Sequence, residues 1–141
     1  MTQQEREQRA IARIDETATE LVALSSYLHE HPELGGQEQL AMKAVGEFLE
    51  DSGFTVTTDL SEEGKYPILK TALRADAGVP MTYDAPIDTA STGTADLATS
   101  YNMAFLGEYD ALPGLGHGCG HNLIAMMSVG AALGFKEAVP E

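Results

Sequence analysis

Two amphipathic helical segments, three short β-prone runs and a glycine-rich loop that leads into an apolar helical run predict an α/β fold, with helices packed on a mixed, largely parallel sheet. Apolar side chains at Ile11, Ile14, Ala18, Leu21, Leu24 and Leu28 recur at the three-and-four spacing of an amphipathic helix over residues 3 to 30. Pro32 ends that helix, because the residue before a proline is pushed out of the helical region. His29, His31 and Glu33 surround the stop, and a polar helix terminus or a packing role accounts for them more simply than metal ligation does. A second helix is predicted from Gln37 to Asp51, where Leu40, Ala41, Ala44, Val45, Phe48 and Leu49 form one stripe, with Gly53 as its C-terminal cap. Phe54 to Thr58 alternates and is rich in β-branched residues, which reads as a strand.

Tyr66 to Arg74 is expected to be another strand, with Pro67 near its start, where proline is tolerated. The stretch from 75 to 100 holds small residues, Thr, Asp and Pro without steady periodicity, and reads as a loop or surface insertion. Asn102 to Leu106 is a short continuous apolar run, suited to a central strand covered on both faces. The run from Leu123 to Phe135 is too short to span a bilayer, which takes about 20 residues, and reads as a buried helix beginning near Asn122.

Eight Lys and Arg stand against 22 Asp and Glu in the 141-residue chain, a net charge of −14. Such a surface repels phosphate backbones and anionic membranes, so neither nucleic acid nor a membrane is an expected partner. A single cysteine forms no internal disulfide, and no basic and apolar leader is evident, so the expected compartment is the cytoplasm.

The chemistry concentrates between Gly107 and Asn122, in the string GEYDALPGLGHGCGHN. His117, Cys119 and His121 are spaced two apart and interleaved with glycines, whose freedom lets the backbone aim neighbouring donors at one point. A thiolate and an imidazole on one face suit a transition metal, zinc among them. Cys119 has three readings from its residues alone: metal ligand, catalytic nucleophile or inert buried thiol. A nucleophile needs a base within reach and a third group to orient that base, which flanking glycines and paired histidines serve poorly. Glu108 and Asp110 sit close in sequence to these donors, with Asp110 expected to accept a hydrogen bond from a histidine or the following loop.

The string GEYDALPGLGHGCGHNLI resembles the metal-binding signature of the co-catalytic zinc or manganese amidohydrolases and dipeptidases, the family of aminoacylases, auxin-conjugate hydrolases, aminobenzoyl-glutamate hydrolase and β-alanyl-lysine dipeptidase. LHEHPELGGQE, residues 28 to 38, resembles the same family's N-terminal signature, and the two motifs occur in the family's order. The resemblance implies a partial three-layer zinc-exopeptidase-like catalytic domain, with residues 1–141 its N-terminal part and the smaller dimerisation domain absent. It implies metal ligation by Cys119 and His121, with His117, Asp110 and Glu108 contacting the ligands or the substrate. It implies a cofactor of two divalent cations, zinc or manganese, per complete site. The family's glutamate general base and distal ligands are expected to lie beyond this chain, so no catalytic residue is assigned within it. Asn122 stands where many relatives carry aspartate, and this matches the subgroup acting on aminobenzoyl-glutamate and on dipeptides.

The implied activity is metal-assisted hydrolysis of the amide bond of an N-acyl amino acid or small dipeptide, by a family whose complete members are homodimers. Stand-alone turnover by this chain is doubtful on the same reading. A reading of another class is a non-catalytic protein that keeps a metal-binding or partner-binding surface, and a third is a redox-sensing Cys119.

Overall fold

The computed structural model describes residues 1–78 and 103–139. Among the described residues, three α-helices and one strand pair follow in the order α1 (Gln3–Glu30), α2 (Gln39–Asp51), β1 (Thr55–Thr58), β2 (Leu73–Asp76) and α3 (His121–Ala138). Helix α1 opens on a capping box in which the Thr2 hydroxyl accepts from the Glu5 amide and the Glu5 carboxylate from the Thr2 amide. At its other end His31 turns the chain, its Nδ1 donating to the Tyr27 carbonyl at 2.8 Å, and Pro32 follows.

The buried stripe of α1 is Thr17, Leu21, Ser25 and Leu28. The apolar pattern expected along the whole helix therefore holds only in its C-terminal half, since Ile11 is 59% exposed and Ile14 37% exposed. Small polar side chains replace larger apolar ones on that stripe because α3 lies close against it. A Cβ built on Gly130 would meet Leu21 Cδ1 at 3.3 Å, and one on Gly134 would meet the Ala10 carbonyl oxygen at 3.2 Å. Leu21 and Leu28 from α1, Ala41, Val45 and Leu49 from α2, and Ala125, Met126, Val129 and Leu133 from α3 form one core. The sheet lies against it through Val56, Leu73 and Ala75.

Helix α2 stops as its glycine dictates. Gly53 sits at φ +78° just past the Ser52 cap, its amide bonding the Glu50 carbonyl while the Phe54 amide reaches back to Leu49. This pair of bonds is the Schellman closure, which places a residue in left-handed backbone where a glycine is least strained. Lys136 of α3 then donates to the Ser52 and Gly53 carbonyls at 2.7 and 2.8 Å, tying the end of α2 to α3.

The sheet departs from the expectation. The strand expected over 66–74 divides: Pro67–Thr71 is a 3-10 turn and the strand begins only at Leu73. Pro67 supplies the fixed φ that starts the turn, and a proline has no amide to donate to a ladder. The pair β1–β2 is antiparallel, with Val56 opposite Ala75, so among the described residues the parallel pairing is confined to an isolated bridge between Leu34 and Ala111. Of the segment expected as a central strand, Asn102 lies outside the described residues and 103–106 form no ladder. That segment instead lies along α3, with Phe105 edge-on to Phe135 at 5.8 Å and Gly107 against Ala125 and Ser128. It lacks a neighbouring strand among the described residues, so Met103 and Leu106 stay exposed. Most of the expected 75–100 loop lies outside the described residues, and its first two positions belong to β2. Among the described residues no helix is long and apolar enough to cross a membrane.

Burial fixes an expected outcome for two leucine-type positions on α1. Leu28, 1% exposed, truncated to alanine should cost about 2–5 kcal/mol, measured by chemical denaturation. Ile11→Ala should stay within about 0.5 kcal/mol of the parent, and a large loss there would contradict the half-exposed helix.

Candidate metal centre

The loop that precedes α3 is pinned by backbone bonds before any side chain acts. The Ala111 amide donates to the Glu33 carbonyl at 2.7 Å, and Leu112 and Gly116 close a turn on each other. Gly120, at φ +80°, is the residue from which α3 departs. Left-handed backbone there swings the chain from the loop into the helix and puts His121 at the first helical position.

His121 is the best-defined side chain of the motif. Its Nδ1 lies 2.7 Å from Asp110 Oδ1 and 3.1 Å from the Asp110 carbonyl oxygen. Both neighbours only accept, so Nδ1 carries a proton in this contact. Glu108 Oε2 stands 3.2 Å from the ring's Nε2, on a side chain that is 68% exposed. An Nδ1–H held by a carboxylate is the usual preparation of an imidazole for a metal ion at its other nitrogen, here the one beside the exposed Glu108.

His117 is buried, 6% exposed, and its Nδ1 has no hydrogen-bond partner. Its ring stacks on His29, centroids 6.4 Å apart. Burial holds the His117 imidazole below the usual histidine range, the neighbouring His29 adds to this, and the Leu28 backbone works against it. Cys119 is a free, half-buried thiol. Among the described residues no group of three or more His, Cys, Asp or Glu side chains is arranged to hold a metal ion. The structure thus brings Asp110 and Glu108 to His121 and His117 to His29, and does not complete a cage around Cys119.

Two features of the neighbourhood escape a reading of the sequence. Glu33 is a helix cap at a distance: its carboxylate accepts from the Leu40 and Ala41 amides, each at 2.9 Å, satisfying donors at the start of α2. Behind the loop, Tyr109 donates its hydroxyl to the Thr71 carbonyl, and the Thr71 hydroxyl donates to the buried carboxylate of Glu38. Burial first, and then the charges of Glu38 and Glu33, push the Tyr109 phenol well above its ordinary range, so it remains a donor. Alternation along the segment was the available signal, since Tyr109 lies between two carboxylates that face His121.

Asn122 proves to be structural in its contacts. It is buried, and its amide nitrogen donates to the Ser25 hydroxyl at 3.1 Å and the Ser25 carbonyl at 3.3 Å. The bond joins α3 to α1 one residue from His121, and an aspartate would set a carboxylate against that carbonyl.

No family model matches the chain. It is similar to the Xaa-Arg dipeptidase of Mus musculus, 38% identical over 131 residues, which is 93% of this chain and 27% of the relative. The Xaa-Arg dipeptidase of Homo sapiens is 36% identical over 126 residues, 89% of this chain and 26% of the relative. The chain therefore spans about a quarter of the length of the curated relatives it matches.

Asn122→Asp should cost about 1–3 kcal/mol of stability, the penalty of a buried polar group turned against its partner, read by thermal or chemical unfolding. A variant as stable as the parent would remove the inter-helix role assigned to this amide.

Proposed function

We propose that the chain carries part of the active centre of a metal-dependent dipeptidase, with Cys119 and His121 as ligands for a divalent cation, zinc or manganese. The observation that carries the reading is the orientation of His121, its Nδ1 engaged by Asp110 and its Nε2 beside the exposed carboxylate of Glu108. The likeness to two dipeptidases along almost the whole of this chain supports peptide hydrolysis as the reaction class. A soft thiolate and a neutral imidazole form a donor pair that zinc accepts.

A divalent cation held there would supply Lewis-acid polarisation of the scissile carbonyl and an acidified water. The residues of this chain do the positioning. Asp110 sets the tautomer of His121, and the first turn of α3, anchored on α1 through Asn122, sets where the ring stands. Glu108 contacts His121 from the solvent side. We assign neither carboxylate as general base, because both already engage the histidine. The base and further ligands are proposed to come from sequence that corresponds to the remainder of the relatives.

For substrate we propose a small dipeptide with a free carboxylate. The relatives are named for arginine at the second position, and a chain of net charge −14 draws a cationic dipeptide toward itself. The non-catalytic reading has one observation on its side, the lack of a three-donor group among the described residues.

Metal content and titration separate the two. The folded parent should bind zinc or manganese stoichiometrically, and Cys119→Ala or His121→Ala should abolish that binding. Asp110→Asn should weaken it by about 10–100-fold, the usual cost of losing the group that orients a ligating histidine. A folded parent that takes up no specific metal would overturn the proposal.

A further inference from the structure

The carboxylates that face His121 are held from behind. Tyr109 points away from them, and its hydroxyl donates to the carbonyl of Thr71, a residue 1% exposed. The Thr71 hydroxyl donates in turn to Glu38, 7% exposed, whose backbone carbonyl accepts from Met42 in the first turn of α2. On the other side of Asp110 the Ala111 amide is bonded to the Glu33 carbonyl. Gly35 passes beneath, where a Cβ would lie 3.8 Å from Asp110 Oδ2 and 4.0 Å from Glu38 Oε1. Asp110 is therefore clamped one residue before and one residue after, both times against the segment that leads into α2 or against what that segment holds.

We infer that Tyr109, acting through Thr71 and Glu38, is a positioning residue that holds Asp110 on His121 Nδ1 and so keeps Nε2, the nitrogen beside the exposed Glu108, as the one that would act as a ligand. The assignment of Nε2 as a ligand rests on the dipeptidase reading, whereas the hold on Asp110 and on the histidine tautomer does not. Tyr109 donates its hydroxyl to Thr71, on the side away from His121; its contribution is the register of the loop. A loosened loop would let Asp110 leave Nδ1, the proton would redistribute between the two ring nitrogens, and the ligand lone pair would be lost in that fraction of molecules.

Tyr109→Phe keeps the ring against the core and removes only the donor. Imidazole nitrogen NMR of His121 in the intact, metal-free protein reads the tautomer, zinc titration reads the ligand, and thermal unfolding reports any general damage. Asp110→Asn serves as the reference for a lost clamp. The expected result is a cooperative fold with a mixed His121 tautomer and zinc affinity lower by about tenfold. Glu38→Gln, which retains an oxygen acceptor for Thr71, should restore parental behaviour where Glu38→Ala does not. Should Tyr109→Phe fail to fold, Thr71→Val carries the same expectation, because it cuts the link to Glu38 alone. A Tyr109→Phe protein with the parental tautomer and parental zinc affinity would overturn the inference. If the parent itself binds no zinc, the dipeptidase reading fails, and the tautomer alone decides the role of Tyr109.

Discussion

Everything near the candidate centre depends on how closely α3 approaches α1. Two glycines in the interior of a helix cost about 1 kcal/mol each relative to alanine, yet Gly130 and Gly134 sit where a side chain would strike Leu21, Ile14 or the Ala10 backbone. The cost is offset by contact between the helices, which buries Leu21 and Leu28 against Val129 and Leu133. Asn122 adds a directional element that apolar packing lacks, because its two bonds to Ser25 fix the rotation of the first turn of α3 as well as its distance. His121 precedes Asn122, and His29 follows Leu28 at the end of the facing helix. The histidine geometry is therefore a consequence of helix packing, with the loop supplying only the carboxylates.

Acidity in this chain is in part structural wiring. Of its many carboxylates, Glu33 satisfies the amides at the start of α2, Glu38 is bonded inside the protein to Thr71, and Asp110 engages a histidine. Each is tied to a donor, which is the condition on which a buried or half-buried carboxylate is tolerated. Lys136 plays the opposite part, its ammonium closing on two carbonyls at the end of α2 and lying 4.8 Å from the Phe54 ring. The net charge of −14 thus describes the exterior well and says little about how the loop is held.

What could be read from the chain alone was what local physics decides. Helical periodicity located α1 and α2 within two residues of their observed bounds and α3 within three, and Gly53 is recognisable as a terminator because left-handed backbone favours it. Proximity in sequence also made a bond between Asp110 and a motif histidine legible. The sheet was less so: Pro67 looked tolerable near a strand start, but its fixed φ begins a 3-10 turn and delays the strand to Leu73. Burial of Thr17 and Ser25 in place of Ile11 and Ala18 was invisible because it depends on glycines more than a hundred positions later in the chain. The same holds for Tyr109, Thr71 and Glu38, three residues without a shared motif, brought together by tertiary structure alone.

Glu108 occupies the approach to the same nitrogen that a metal would take, and the two are mutually exclusive partners of Nε2. Which one prevails follows from burial. The Glu108 side chain is 68% exposed and makes its contact at 3.2 Å from a loop residue free to turn to water. An exposed pair of that kind contributes under about 1 kcal/mol. The Asp110 contact is shorter, more buried and doubled by the backbone carbonyl. A cation arriving at His121 would therefore displace the weaker carboxylate and keep the stronger. The unequal grip of the two carboxylates gives the centre a fixed side, built on Asp110 and the packed helices, and a yielding side that faces solvent, where a ligand would enter.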